Sequence, residues 1–307
     1  MTKLGTSDLD VAPLCLGGNV FGWTADEETS FAVLDGFTEA GGDFIDTADA
    51  YSAWAEGHTG GESEAVIARW LARRGNRDDV VVATKVGMLD GLDNLRADTI
   101  ERAAEDSLRR LGVDHIDLYY AHRDDPGTDQ AETLAAFDAL VRKGKVRYVA
   151  ASNYTAERLT SALATAEREN LAPFVALQQP YNLVDRSYEG ELREAVQAHG
   201  LATAPYWGLA KGFLTGKYRE GVEVDSVRAK AASQYLDERG LRLLGALDEI
   251  SEAHGTTQAA VALAWLAAQP TVAAPIASAR TEEQLKALLP ALTLRLGAEE
   301  VETLSSI

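Results

Sequence analysis

Short apolar runs alternate with amphipathic stretches along nearly the whole chain, and that alternation predicts the architecture. The opening KLGTSDLDV sets Gly-Thr-Ser turn chemistry between two extended pieces, the pattern of a hairpin ahead of the main fold. PLCLGGN (13–19) then reads as a buried strand whose Gly17 and Gly18 bring bare backbone close to a neighbour. ETSFAVLDGFTEAGG repeats Phe31, Leu34 and Phe37 near helical spacing and stops at Gly41. Strand and helix patterns follow in turn: DFIDTAD and ESEAVIARWLARRG, DVVVATKVG and RADTIERAAEDSLRRLG, HIDLYYAH and AETLAAFDALVRKG, KVRYVAASN and TAERLTSALATAEREN. FVALQQP and YEGELREAVQAHG come next, then LATAPYWG, a long interruption, TVAAPIAS and TEEQLKALLPAL, with GAEEVETLSSI as a short extra helix.

Eight strand–helix rounds with short, continuously apolar strands predict a parallel sheet covered on its outer face. Closed on itself, such a sheet is an α/β fold of the (β/α)8 TIM-barrel kind, with an N-terminal hairpin and extra C-terminal helices. A doubly wound open sheet would carry a G-x-G-x-x-G turn after its first strand, and LGGNVFGW lacks that spacing. The interruption from Lys211 to Asp237 is too long for an ordinary connection and reads as a functional loop after strand seven.

Composition narrows the function. The 307 residues suit one barrel domain spanning 1–307, and no Pro/Ser-rich linker divides them. Hydrophobic residues at 46% with charged residues at 25% argue against disorder. With 29 Lys and Arg against 48 Asp and Glu, the formal charge of −19 argues against a nonspecific grip on nucleic acid or anionic lipid. Cys15 is alone and sits in an apolar run, so it reads as a structural thiol. His58, His115, His122, His199 and His254 are scattered, and none pairs with another at metal-ligand spacing. The chain opens without a signal-peptide pattern and holds no apolar run near the roughly 20 residues of a membrane span, so a soluble cytoplasmic protein is expected.

Barrels of this kind build their sites at the carboxyl ends of the strands. Read in order, those ends carry Asp46 and Tyr51, Lys85, His122, Ser152 and Asn153, Gln178 and Tyr206. An Asp in a turn is usually a cap and a Tyr usually core or rim, so the first pair says little alone. Lys85 adds more, because it follows VVVAT, where a charge is costly unless paired. Beside Asp46 it is tolerated, and its charge near Tyr51 is expected to lower that phenol's pKa from about 10. A phenol so tuned gives its proton to an oxygen on which negative charge builds. His122 reads either as a core histidine satisfied by backbone, the commoner fate, or as a donor to that carbonyl oxygen. In the second case the four describe a device for polarising and protonating a carbonyl. No side chain supplies hydride, whereas a reduced nicotinamide does. Ser152, Asn153 and Gln178 suit its carboxamide and Tyr206 its ring face. Ser278 and Arg280, at a helix start, suit a phosphate and point to NADPH.

These residues resemble the aldo-keto reductase superfamily from Leu4 to Leu304. The stretches DFIDTADAY, ATKVG, SLRRLGVDHIDLYYAHR, GKVRYVAASN, LQQPYNLVDR, GLAKGFLTGKY and PIASARTEEQL stand in family order and at family spacing. The resemblance implies an NAD(P)H-dependent oxidoreductase that reduces an aldehyde or ketone, with Asp46, Tyr51, Lys85 and His122 as its catalytic tetrad and Tyr51 as proton donor. It places cofactor contacts at Gly18, Asn19, Asp46, Ser152, Asn153, Gln178, at Tyr206, Trp207, Gly208, Leu209, Ala210 and Lys211, and at Lys217, Ser278, Arg280 and Gln284. The chain departs from the family at Trp207-Gly208, where many members have Ser-Pro, and at Ala287 and Leu288, where they have Glu and Asn. The first departure reshapes the pocket floor; the second weakens adenine contacts and leaves NAD(H) open, while Arg280 keeps NADP(H) the preferred cofactor.

Substrate contacts are expected from Trp23, Trp54, Tyr51 and His122. Trp207 and His58 also fall on segments of the barrel mouth, and aromatics there suit an apolar or sugar-like ring. An aldehyde, a ketone and a keto-sugar all fit. The sequence also resembles potassium-channel β subunits, which implies an alternative as a nicotinamide-binding regulatory subunit with slow redox chemistry.

Overall fold

The computed structural model describes residues 1–219, 221, 222, 224 and 229–307. Thr2–Lys3 (β1) and Asp10–Val11 (β2) pair antiparallel as the expected hairpin. The main sheet comprises Cys15–Gly17 (β3), Phe44–Asp46 (β4), Val81–Val86 (β5), Ile116–Ala121 (β6), Val146–Ser152 (β7), Phe174–Gln178 (β8), Ala202–Thr203 (β9) and Ile276–Ala277 (β10). Its neighbours are all parallel, in the order β10-β3-β4-β5-β6-β7-β8-β9. The two ends meet: Thr203 bridges Val272, and the Ile276 N–H donates to the Pro205 carbonyl at 2.8 Å. The (β/α)8 barrel is closed by these bonds.

Helices Glu27–Glu39 (α1), Glu62–Arg74 (α2), Ala97–Leu111 (α3), Gln130–Arg142 (α4), Ala156–Glu169 (α5) and Glu191–Ala198 (α6) follow the first six barrel strands. Gly75 and Gly112 end α2 and α3 at φ of 66° and 65°, a left-handed turn that glycine adopts without a Cβ clash. After β9 come Ala229–Ser233 (α7), Glu238–Ala253 (α8) and Gln258–Ala267 (α9); Glu282–Leu288 (α10) and Ala298–Ser305 (α11) complete the chain. The expected loop from Lys211 to Asp237 opens on a kinked run of turns to Thr215, with left-handed backbone at Lys211 and Gly212, and contains α7, while Glu220, Glu223 and residues 225–228 lie outside the described residues.

Two boundaries differ from the pattern. The last two barrel strands are two residues each, shorter than LATAPYWG and TVAAPIAS suggest, because Pro205 and Pro275 lack the N–H that would extend the ladder. The helix over TEEQLKALLPAL stops at Leu288 and tightens to a 3-10 turn over Leu289–Leu292 at Pro290. No helix among the described residues is long and apolar enough to cross a membrane.

Strand side chains alternate between two layers. Leu16, Ile45, Val82, Tyr119, Val149 and Leu177 pack outward against the helices. Cys15, Phe44, Ala83, Leu118, Tyr120, Ala150, Ala176 and Ala202 fill the interior, joined by Leu4, Leu9 and Val11 of the hairpin. The hairpin's Gly5 lies so close to the backbone of Val175 and Ala202 that a Cβ would meet the Val175 carbonyl at 2.1 Å. It thereby seals the amino-terminal end. Continued toward the carboxyl ends, the inward parity runs through Asp46, Lys85, His122, Ser152, Gln178, Tyr206 and Ser278. Alternation alone therefore aims the sequence-derived set at one cavity.

Candidate active site

Lys85 is completely buried at the centre of this set. An ammonium has three donors, and all three are used: Asp46 Oδ2 at 2.6 Å, the Thr47 carbonyl at 2.7 Å and the Tyr51 hydroxyl at 2.8 Å. The Tyr51 hydroxyl in turn donates to Asp46 Oδ2 at 2.9 Å, and Gln178 Nε2 donates to Asp46 Oδ1 at 2.9 Å. The carboxylate is thus held on both oxygens, which is what burying the ion pair requires. Register supports the arrangement, since Asp46 lies beside Ala83 and Lys85 beside Tyr120 in adjacent strands. The His122 ring stands edgewise to Tyr51 with centroids 6.1 Å apart.

The electrostatics correct one expectation. Lys85 does not lower the Tyr51 pKa; burial, then the Asp46 charge and its hydrogen bond, push it well above the usual phenol value. The physical reason is proximity. The ammonium is already neutralised by Asp46, while the same carboxylate accepts from the phenol. Burial lowers the Lys85 pKa against the pull of Asp46. Burial and then the Lys85 charge hold His122 well below its ordinary value, so its ring is neutral. Cys15 lies inert in the interior, its thiol pushed up by burial.

A cleft of about 710 Å³ runs from this cluster across the barrel mouth. One end is aromatic. Trp23 and Trp54 meet edge to face at 5.6 Å and Tyr51 meets Trp54 at 6.0 Å, with Met88 on the same cleft. Trp54 is 53% exposed and Trp207 46%. The other end holds Asn19, Ser278, Arg280, Gln284, Lys211 and Lys217. Gln178, Ser152, Asn153, Tyr206, Gly208 and Leu209 line the span between.

Several expected contacts lie elsewhere. Gly18 is behind the wall, its N–H donating to the Asp46 carbonyl at 2.7 Å and its own carbonyl accepting from Ser63. Gly17 faces the cleft instead, and a Cβ there would meet Ser278 Oγ at 2.5 Å. Ala210 is buried, its N–H bonded to the Trp207 carbonyl. His58 turns to Glu62 and does not line the cleft. The helix start at α10 is partly self-capped: Thr281 Oγ1 accepts from the Gln284 N–H and Gln284 Oε1 from the Arg280 N–H. The cleft at that end therefore offers the side chain of Arg280 more than free backbone amides.

Asn153 knits the middle together. It sits at φ 57°, and its amide donates to the His122 carbonyl at 2.9 Å and to Ser152 Oγ at 3.0 Å while accepting from the Tyr206 hydroxyl at 2.8 Å. Left-handed backbone in a non-glycine residue is stored strain that clusters at functional sites. Trp207, Ala210 and Lys211 repeat it at φ of 56°, 48° and 59°. The Ala210 and Gly212 N–H groups are spent on the Trp207 and Leu209 carbonyls, so this bend presents the Lys211 side chain to the cleft. Lys211 Nζ lies 4.6 Å over the Trp207 ring beside it.

Met88, Thr215, Thr257, Glu283, Ala287 and Leu288 also line the cleft. Met88 had a signal, standing three residues past Lys85 at the end of its strand. Thr257 and Glu283 had none, since their placement depends on how the helices after β9 fold back. Gly17, without room for a Cβ, and the side chains of Lys211, Lys217, Ser278 and Arg280 together fit a phosphorylated dinucleotide.

Fold and site define a barrel enzyme of the oxidoreductase class. The profile of the Aldo/keto reductase family matches residues 13–307. Relatives include the uncharacterized oxidoreductase YrpG of Bacillus subtilis (strain 168), 36% identical over all of this chain and 95% of the relative, and Protein tas of Escherichia coli (strain K12), 31% identical over 99% and 96%. Norsolorinic acid reductase stcV of Emericella nidulans is 35% identical over 95% of this chain and 76% of its own length. The chain belongs to the aldo/keto reductase family and is an NAD(P)H-dependent oxidoreductase.

Proposed function

We propose that the chain reduces aromatic aldehydes or ketones to the alcohol with NADPH, Tyr51 giving the proton. The observation that carries this reading is the Tyr51 hydroxyl in contact with both Lys85 Nζ and Asp46 Oδ2 at the aromatic end of the cleft. When bound, the reduced nicotinamide supplies the hydride. Tyr206, Ser152, Asn153 and Gln178 would hold its ring and carboxamide; Lys211, Lys217, Ser278 and Arg280 would hold its phosphates.

The residues act as follows. The substrate oxygen accepts from the Tyr51 hydroxyl and from neutral His122, which polarises the carbonyl. The Tyr51 hydrogen, turned to Asp46 in this state, swings to the substrate as that oxygen gains charge. A phenolate left behind is stabilised by the Lys85 ammonium at 2.8 Å. The high Tyr51 pKa keeps the donor protonated throughout neutral pH, so the proton is available when needed. The rings of Trp23, Trp54 and Trp207 exclude water and stack on a flat substrate better than on a hydroxylated sugar. Relatives named norsolorinic acid reductase and aryl-alcohol dehydrogenase, the latter from Pestalotiopsis microspora at 30% identity, agree with an aromatic carbonyl.

Two predictions follow from this reading. Following NADPH absorbance, benzaldehyde and its ring-substituted derivatives are expected to turn over faster than aliphatic aldehydes or keto-sugars; a sugar as the best substrate contradicts the aromatic assignment. NADH run in parallel decides the coenzyme, because Arg280 favours a 2′-phosphate while Glu283 on the same wall opposes one. Separately, Asn153→Ala frees the Tyr206 hydroxyl and is expected to weaken NADPH binding by about tenfold, the equivalent of one or two hydrogen bonds. Fluorescence titration measures it, and an unchanged affinity removes Asn153 and Tyr206 from the cofactor's seat.

A further inference from the structure

Asp49 lies on the turn between Asp46 and Tyr51, and no step above uses it. It is completely buried, yet neither carboxyl oxygen has a hydrogen-bond partner among the described residues. The groups that face it come from every side. Glu64 of α2 is buried and bound to Thr84 Oγ1 and to Arg110 Nε of α3, both at 2.6 Å. Lys85 of β5 and the Tyr119 hydroxyl of β6 feel the Asp49 charge, as Asp49 feels that of Arg110. Asp46 and Tyr51 flank it on its own turn. Both cations are already committed, Arg110 to Glu64 and Lys85 to Asp46. A carboxylate at this position would be an uncompensated charge facing the paired Glu64 carboxylate, whereas a carboxylic acid is tolerated.

The turn is tied to the ammonium-bearing residue at two points. The Asp49 N–H donates to the Lys85 carbonyl at 3.4 Å, and Lys85 Nζ donates to the Thr47 carbonyl at 2.7 Å. Gly60 presses on the Asp49 carbonyl so closely that a Cβ would come to 2.7 Å. Asp49 thus shares one short turn with Asp46 and Tyr51, and that turn is bonded to Lys85.

We propose that Asp49 is a positioning residue: while it carries its proton the turn between Asp46 and Tyr51 packs against Lys85, and ionising it loosens the turn and takes the tetrad out of register. The proposal rests on the carbonyl-reducing reading for its kinetic half only. Burial and then the facing Glu64 carboxylate push the Asp49 carboxyl up to about 8, against the opposing charge of Arg110. Tyr51 titrates well above that value and His122 well below it, so neither supplies a break there.

The sign follows from linkage. The folded pKa is raised above the unfolded value of about 3.9, so ionisation favours the unfolded chain. Asp49 costs no stability below that unfolded value, costs progressively more as pH rises toward about 8, and a constant amount above. Asp49→Asn removes the ionisation and keeps the shape.

The experiment has two readouts. Turnover of the wild-type enzyme one pH unit above the break is expected at about a tenth of its neutral value, the fraction still protonated. Asp49→Asn is expected to stay within about twofold over the same range. Glu64→Gln, which removes the facing charge, is expected to move the wild-type break about one unit toward lower pH. A break that survives in Asp49→Asn, or that ignores Glu64→Gln, overturns the proposal. Thermal unfolding followed against pH needs no substrate: the Asp49→Asn midpoint should gain on wild type as pH rises from about 4 to about 8. Parallel curves refute the buried acid even if the protein turns over no carbonyl, whereas diverging curves without turnover refute only the proposed function.

Discussion

Tyr51→Phe is expected to lower carbonyl reduction by 10²–10⁴-fold, roughly the contribution of a well-placed general acid. The size follows from what the substitution removes. A phenylalanine ring keeps the edgewise contacts with Trp54 and His122, and Lys85 keeps Asp46 Oδ2 and the Thr47 carbonyl. Only the hydroxyl is lost. His122 still polarises the substrate oxygen, which leaves a residual rate. Because the cradle for the cofactor lies along the rest of the cleft, NADPH affinity should change by no more than about twofold, below the scale of one hydrogen bond. A large loss of NADPH affinity with turnover preserved at saturation would assign Tyr51 to binding.

Lys85→Met is expected to lower carbonyl reduction about as far as Tyr51→Phe, by 10²–10⁴-fold, and to destabilise the fold as well. The ammonium and the Asp46 carboxylate are buried to 0% and 1% exposure. Removing one partner of such a pair leaves the other uncompensated, at a cost of about 3–5 kcal/mol. The remaining donors to Asp46, from Gln178 and Tyr51, are neutral and offset only part of it. Adding Asp46→Asn to the same chain should restore most of the stability, since a neutral amide replaces the stranded charge, while turnover stays as low as in Lys85→Met. Chemical denaturation of the wild type, the single variant and the double variant measures this. A Lys85→Met protein as stable as wild type would mean the pair contributes little to folding.

The fold was legible because its signals are local. Apolar runs of strand length, glycine stops and amphipathic helices repeat often enough that closure was the natural result. The exceptions are local too, since Pro205 and Pro275 shorten the last strands for a reason visible in the sequence. The tetrad was legible for a related reason: Asp46, Lys85 and His122 share the inward parity of Phe44, Ala83 and Tyr120. Parity cannot report distances, however. The direction of the Tyr51 pKa turned on Asp46 accepting from both Lys85 and the phenol, a geometry that only packing reveals. Asp49 carries no signal in the sequence, because the charges that act on it, Glu64 and Arg110, come from two helices. Gly17 lines the cleft and Gly18 does not, a difference of one residue that the pattern of the strand does not report.

In the proposed mechanism Tyr51 and Lys85 act as one unit, the ammonium stabilising the phenolate that proton transfer leaves behind. Turnover of Tyr51→Phe, Lys85→Met and the double variant, each at saturating NADPH, tests it most directly. Groups that act together are strongly non-additive, so the double variant should be no slower than the slower single variant. Losses that multiply in the double variant would show two independent contributions and contradict the shared role.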